Sequence, residues 1–266
     1  MSETAARPAP QGVGEALSKV PQITLVFWIV KICATTVGET GGDALSMSLN
    51  LGYLTSTLIF LGFFLVTLAV QLAAKRYHPW AYWLVVVGTT LVGTTTSDFL
   101  DRTVGLGYVK STAAEFAAVI AMLIIWRFAT GRIAADHISD RKNESFYWVT
   151  ILVSNTLGTA LGDFTADDTG LNLGFEKGAL LFIALLAVVA AARYLTRIPP
   201  AILFWAAYIL TRPLGATLGD TLTKPFSQGG LHLDRFVAAG SIGLAMVIIL
   251  VVSHALRPAK PGEVLP

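Results

Sequence analysis

Four aspartates recur at one fixed distance behind a tryptophan. Each copy of the pattern starts with an aromatic residue and Trp, has Gly ten residues after the Trp, and ends with Asp fifteen residues after it. The four aspartates are Asp43, Asp98, Asp163 and Asp220. Carboxylates at one depth hinder one another's ionisation, and they favour protons or hard metal cations such as Mg²⁺, Ca²⁺ or Mn²⁺. The pattern therefore predicts a carboxylate ring that binds protons or a small metal cation.

The same pattern supplies two further sets of positions. The tryptophans are predicted to anchor helix ends at a membrane interface, where amphipathic rings concentrate. They are Trp28, Trp83, Trp148 and Trp205. The glycines are each followed four residues later by Gly or Ser, a spacing that lets helix backbones approach closely. They are Gly38, Gly93, Gly158 and Gly215.

The composition is typical of a membrane protein. Hydrophobic residues make up 54% of the 266 residues and charged residues 14%, whereas a soluble domain carries about 25% charged residues. Several apolar runs approach the roughly 20 residues that a transmembrane helix needs. We expect an all-α polytopic membrane protein with eight transmembrane helices. They are predicted near residues 24–45, 53–74, 81–101, 109–130, 147–166, 175–196, 202–222 and 232–256.

Each repeat contains two of these spans, and the first span carries the pattern. Two spans per repeat predict four parallel repeats that enter the membrane in the same direction. The odd helices are expected to form a polar core, surrounded by the even helices. The predicted divisions are a disordered cytoplasmic tail over 1–20, a membrane domain over 21–256 and a cytoplasmic tail over 257–266. The repeats lie at about 21–78, 79–131, 145–198 and 199–256, with a polar loop over 131–145.

Lysines and arginines concentrate on the side of the two termini, which predicts that both termini are cytoplasmic. The tryptophans then lie at the cytoplasmic interface. At 1.5 Å per residue, each Asp lies about 22 Å further along its helix, in the outer part of the membrane.

A polar stripe leads from the middle of the odd helices to the aspartates. Positions seven, eleven and fifteen after each Trp share one helix face, because residues four apart stack. Polar groups that face lipid are costly, so this face is expected to line protein or water. The candidate ion-binding residues along it, besides the aspartates, are Glu39, Thr94, Asn155, Thr159 and Arg212.

Several residues break the symmetry of the repeats, and two interpretations stay open for most of them. Glu39 and Arg212 either form a salt bridge or bind the substrate. Glu115, the one acid well inside an even helix, is either part of the site or an interhelical hydrogen-bond partner. Lys31 is expected to extend its ammonium to the interface, and Pro213 is expected to kink the seventh helix. The alternative role for the four aspartates is capping of the outer turns or contact with outer water.

The remaining polar residues indicate no further chemistry. Asp101 and Arg102 are expected in a solvated outer turn. The histidines are scattered and form no metal-ligand cluster in the sequence. Zinc-protease, serine-hydrolase and P-loop motifs do not occur, so neither an enzyme nor a cofactor is expected.

The four aromatic-Trp…Gly…Asp copies resemble a bacterial integral-membrane family of unassigned function. Its members consist of four tandem repeats, each with two transmembrane regions and a characteristic Trp. The resemblance covers about residues 20–257. It implies the fold and a location in the bacterial inner membrane, and it implies no chemistry.

The residues favour a secondary transporter or exporter of a small, divalent cation, coupled to protons, with its site between the odd helices. The alternatives are a cation channel that uses the carboxylates as a filter and a non-transporting anchor or regulatory module. An anionic substrate, attracted by Arg212 and Lys31, stays open within the transporter class. The expected partners are the lipid bilayer, the cation and protons, and no nucleic acid; a homo-oligomer is compatible with the sequence.

Overall fold

Helices make up nearly all the regular structure of the chain. The computed structural model describes residues 18–133, 138 and 140–256. Within these residues lie eight α-helices and no strand, which confirms the predicted all-α class. The helices are α1 (Leu25–Asp43), α2 (Tyr53–Ala73), α3 (Pro79–Asp98), α4 (Gly107–Thr130), α5 (Arg141–Ala166), α6 (Gly174–Leu195), α7 (Pro200–Thr223) and α8 (Arg235–Ala255). The predicted tails over 1–17 and 257–266 lie outside the described residues.

Helix α5 begins at Arg141 instead of the predicted residue 147, because Asp140 caps it. The Asn143 amide donates to Asp140 Oδ1 at 2.8 Å, as a helix-capping carboxylate requires. This hydrogen bond also lowers the pKa of the Asp140 carboxyl. The predicted polar loop over 131–145 is therefore helical in its last part.

The end of the predicted tail is ordered against the helices. Lys19 and Val20 are buried, and Lys19 Nζ lies 2.7 Å from Glu144 Oε2. Gln71 Nε2 donates to the Lys19 carbonyl at 3.2 Å. A buried ammonium needs such partners, so the prediction of a disordered tail is wrong for residues 18–20.

Two of the odd helices continue past their aspartate as a π-helical turn. The turn after α1 is Ala44–Ser48, and the turn after α3 is Phe99–Thr103. Turns of this type are rare in proteins, and those that occur often lie near functional sites. The second one contains Arg102, whose side chain reaches the aspartates described below.

The odd helices contact one another in a closed ring. Helix α1 packs against α3 and α7, and α5 packs against the same two helices. Each even helix packs outside the ring against the first helix of the next repeat: α2 on α3, α4 on α5, α6 on α7 and α8 on α1. Within their most apolar 18-residue windows, the even helices are 17–22% buried and α7 is 61% buried. The buried helices are thus the ones that carry the repeated pattern.

The outer surface suits a lipid environment. Within the described residues, five helices are long and apolar enough to cross a membrane, namely α2, α4, α6, α7 and α8. Large apolar side chains such as Val66, Ile124, Val188 and Leu244 are exposed on the even helices. Extended apolar surface of this kind is rare on proteins that face water.

One repeated contact closes the ring of odd helices. The glycine ten residues after each Trp lies against the residue seven positions after the Trp of the next repeat. The pairs are Gly38 with Thr90, Gly93 with Asn155, Gly158 with Arg212, and Gly215 with Thr35. A Cβ atom at any of these glycines would overlap its partner. The helices can therefore approach closely enough to bury the polar side chains of the stripe.

The Gly158→Ala substitution is expected to destabilise the protein by about 1–3 kcal/mol, because overpacking in a filled interior costs this much. Its new Cβ would overlap Cβ and Cγ of Arg212. The Gly62→Ala variant is the matched control, since a Cβ there meets no atom within 4 Å. Unfolding of the purified protein in detergent measures both. Equal stability of the two variants would contradict the proposed close approach.

Candidate functional site

A buried ion pair occupies the centre of the ring of odd helices. Arg212 Nη2 lies 3.0 Å from Glu39 Oε2, and the exposed fractions of the two side chains are 0% and 4%. The same nitrogen donates to Thr94 Oγ1 at 2.5 Å and to Thr159 Oγ1 at 2.6 Å. Each odd helix thus supplies one of these four side chains. Helix α7 continues from Pro200 to Thr223 with Pro213 inside it.

The ammonium of Lys31 is also buried, and the prediction that it reaches the interface is wrong. Its side chain has no exposed surface. Lys31 Nζ donates to Asn155 Oδ1 at 3.4 Å and lies 4.3 Å from the centre of the Tyr208 ring. Asn155 Nδ2 donates in turn to Thr89 Oγ1 at 2.9 Å. The stripe faces inward here, so the lysine follows its helix face into the ring.

Beyond the central pair, Arg102 links two of the four aspartates. Its Nη1 lies 3.3 Å from Asp98 Oδ1, and its Nη2 lies 3.1 Å from Asp163 Oδ2. Both carboxylates are almost fully buried, whereas the Arg102 side chain is 26% exposed. Arg102 was predicted to lie in a solvated turn, but its side chain reaches inward. Its positive charge compensates the carboxylates of Asp98 and Asp163.

Lys224 links the other two aspartates in the same way. Its Nζ lies 3.3 Å from Asp43 Oδ2 and 3.2 Å from Asp220 Oδ1. Arg235 Nε lies 3.6 Å from Asp43 Oδ2. In the described residues, the four aspartates thus face three cationic side chains. The carboxylates come together as predicted, but their charges are largely compensated from within the chain.

Three carboxylates stand close enough together to coordinate one metal ion. One oxygen from each of Glu39, Asp43 and Asp220 lies within 4.8 Å of the others, and all three residues are buried. Asp43 Oδ1 has no hydrogen-bond partner within the described residues. Carboxylate oxygens are ligands that hard divalent cations prefer. We call Glu39, Asp43 and Asp220 the carboxylate triad. Asp98 and Asp163 do not belong to it.

Glu115 lies beside the ring and belongs to a different contact. Ser111 Oγ lies 3.1 Å from Glu115 Oε1 within α4. Asp101, which was expected in a solvated turn, is 5% exposed and interacts electrostatically with Glu115. This acidic pair therefore packs between α4 and the π-helical turn after α3, and the structure does not bring Glu115 to the carboxylate triad.

The tryptophans lie at the opposite end of the odd helices, and three of them are buried. The exposed fractions of Trp83, Trp148 and Trp205 are 3%, 1% and 4%, while Trp28 is half-buried. The centre of the Tyr82 ring lies 5.2 Å from that of Trp83 and 5.3 Å from that of Trp148. The prediction of interface anchors is wrong for these three residues, because the aromatic pairs of all repeats meet and bury one another.

Sequence reasoning missed the three cations among the aspartates. Arg102 and Lys224 each follow an aspartate of the ring by four residues, the spacing at which ion pairs form within a helix. This signal was available in Asp98–Arg102 and Asp220–Lys224. Arg235 has no comparable signal, because it reaches Asp43 from the start of α8.

The fold and the site together define an all-helical protein with charged residues buried between the odd helices, and five of its described helices are apolar enough to cross a membrane. A family model described as "Repeat of Unknown Function (DUF347)" matches residues 26–77, 81–132, 146–198 and 203–258. These matches cover most of the chain, and the chain belongs to this family. The four predicted repeats are thereby confirmed. No curated protein and no solved structure matches the sequence.

Proposed function

We propose that all eight helices cross a bacterial inner membrane and that the four repeats enter it in the same direction. Contacts at both ends of the odd helices support this arrangement. Near their starts, Tyr82 and Tyr147 share a hydrogen bond of 2.7 Å. Near their ends, Lys224 contacts both Asp43 and Asp220. The excess of Lys and Arg on the side of the aromatic end favours cytoplasmic termini.

The function that this arrangement supports best is secondary transport of a small divalent cation, coupled to protons. The carboxylate triad is the observation that carries the proposal, because it offers three buried oxygen ligands within 4.8 Å. Three carboxylates so close together cannot all ionise without a compensating charge. The cation is the substrate, and the carboxylates of Glu39, Asp43 and Asp220 are its ligands.

Lys224 supplies the exchange step in this proposal. Its ammonium lies between Asp43 and Asp220, where it compensates the carboxylates in the absence of substrate. An entering divalent cation displaces this ammonium and any proton held by the triad. When the cation leaves, Lys224 and protons return to the carboxylates. Proton binding and cation binding therefore exclude each other, and this exclusion couples the two fluxes.

The packing of the axis supports a carrier in preference to a channel. The buried aromatic rings fill the cytoplasmic end, and Arg212 fills the centre between Thr94 and Thr159. A channel needs a continuous pore, whereas a carrier opens to one side at a time. A non-transporting anchor would use the same polar contacts as interhelical hydrogen bonds alone.

Flux measurements in proteoliposomes test the proposal. We expect the wild type to move Mn²⁺ across the membrane and to move protons in the opposite direction, followed with an internal pH dye. The variant in which all four ring aspartates are replaced by Asn is expected to show the flux of empty liposomes. The exposed-acid variant Glu176→Gln is the control and should transport normally.

Three results would overturn this function. Equal Mn²⁺ flux in the wild type and the four-Asn variant would show that the aspartates are not part of the transport site. Ion currents far above carrier rates would show a channel. A lack of flux for Mn²⁺, Mg²⁺ and Ca²⁺ in folded wild-type protein would favour the anchor or regulatory role.

A further inference from the structure

The centre of the ring contains more buried positive charge than negative charge. Lys31 and Arg212 are both fully buried, and an electrostatic interaction connects them. Among the described residues, the carboxylate at this level is Glu39, and its ion pair is with Arg212. Charges removed from water need a partner of opposite sign. One carboxylate for two cations leaves a single positive charge uncompensated at this level of the axis.

The guanidinium of Arg212 has donors that the described chain does not use. All of its hydrogen bonds with Glu39, Thr94 and Thr159 go through Nη2. Nε and Nη1 are buried and have no hydrogen-bond partner in the described residues. A guanidinium carries five N–H donors in a fixed plane. Buried donors without acceptors are rare in proteins, and an ion or water commonly occupies such a position.

The ammonium of Lys31 also has more hydrogen-bond donors than acceptors around it. An ammonium has three donors, and the hydrogen bond recorded for Lys31 Nζ is the 3.4 Å contact with Asn155 Oδ1. Its second neighbour is the face of the Tyr208 ring at 4.3 Å. Tyr208 precedes Arg212 by one turn of α7, so the aromatic neighbour of Lys31 lies on the same face of α7 as Arg212. The ammonium and the guanidinium repel each other unless an anion lies between them.

We propose that a small monovalent anion, a halide or a compact oxyanion such as nitrate, binds between Lys31 and Arg212. Its single negative charge matches the excess positive charge of Lys31, Arg212 and Glu39 together. It accepts hydrogen bonds from Lys31 Nζ and from one of the two unused donor groups of Arg212, either Nε or Nη1. Thr94 and Thr159 contact Arg212, and Asn155 contacts Lys31, so polar side chains already surround the two cations and favour a small ion. This site contains no ring aspartate, but it shares Glu39 with the carboxylate triad, so its test is performed without divalent cations.

The test uses purified full-length protein in nanodiscs of zwitterionic lipid, without divalent cations. Potassium gluconate is replaced stepwise by potassium chloride, bromide or nitrate at constant ionic strength, and thermal unfolding is recorded. We expect a saturable rise in the unfolding temperature with the small anions, because a ligand of the folded state stabilises it. Gluconate is too large for the site and serves as the reference anion.

The Lys31→Met variant is expected to weaken the apparent anion affinity at least about tenfold, a change of about 1.4 kcal/mol. The Lys75→Met variant removes an exposed lysine at the end of α2 and should behave as the wild type. A second measurement covers the case in which Lys31→Met fails to fold. Crystals of the wild type grown with bromide should show anomalous density in contact with Lys31 Nζ and Arg212.

Three outcomes would overturn the anion site. The first is an unfolding temperature that does not depend on the identity of the anion. The second is an unchanged anion affinity in the Lys31→Met variant. The third is the absence of anomalous bromide density between Lys31 and Arg212. Water would then be the partner of the unused donors.

Discussion

The Asp220→Asn variant should transport Mn²⁺ about 100-fold more slowly than the wild type. Truncating one member of a buried charged set costs about 2–5 kcal/mol, and about 2.7 kcal/mol corresponds to 100-fold. Asparagine keeps the shape of the side chain and removes the charge. The carboxylate triad then has two charged ligands, and Lys224 loses one of its two carboxylates. Initial rates of Mn²⁺ uptake into proteoliposomes measure the effect.

The matched control for this variant lies in the same carboxylate ring. Asp163 has the same type, depth and repeat position as Asp220, but Arg102 holds it and it lies outside the carboxylate triad. The Asp163→Asn variant should therefore lose less than about tenfold in rate, equivalent to 1.4 kcal/mol. Equal losses in both variants would show that the whole ring, and not the triad, binds the cation. Unfolding temperatures of both variants separate loss of transport from loss of fold.

The second large effect is expected on stability, from the pair of Arg212 and Glu39. The Arg212→Met variant should lose about 3–5 kcal/mol of unfolding free energy, because it leaves a buried carboxylate without its partner. The Glu39→Gln variant should lose a similar amount, since it leaves the guanidinium uncompensated. The double variant should recover much of this loss, because neither charge remains buried. Unfolding in mixed detergent micelles measures all three variants.

The coupling between the two substitutions is the decisive quantity. Residues in direct contact show interaction energies of about 0.5–3 kcal/mol in double-mutant cycles. Lys177→Met combined with Glu176→Gln provides an exposed control pair on α6, for which additive and small effects are expected. Additive losses for Arg212→Met and Glu39→Gln would contradict a direct buried ion pair at the centre of the ring.

Local features of this chain could be predicted because they repeat at fixed spacing. The distances from Trp to Gly and from Trp to Asp are uniform in all four copies, so helix period and repeat number follow directly. The same periodicity places Thr35, Glu39 and Asp43 on one face. The start of α5 and the burial of residues 18–20 were not predicted, because the Asp140 cap and the contact between Lys19 and Glu144 depend on specific side chains.

The cationic side chains that lie among the four aspartates could not be predicted from the sequence in the same way. Sequence spacing placed four aspartates at one depth, but it did not place Lys224 and Arg102 between them. Those two side chains follow the ends of α7 and α3, and their direction depends on how each chain segment turns there. The inward position of Trp83 likewise depends on an aromatic residue of another repeat, Phe27, whose ring lies 5.5 Å from the Trp83 ring.

The sequence by itself determined the helices, the four repeats, the polar stripe and the shared position of the aspartates along the odd helices, because each follows from local periodicity and hydrophobicity. Only the tertiary structure decided that Gly158 accepts Arg212 from the next repeat and that Lys31 faces inward. It also decided that the carboxylate triad comes from α1 and α7 alone. Such contacts join distant parts of the chain, and the packing of whole helices selects them.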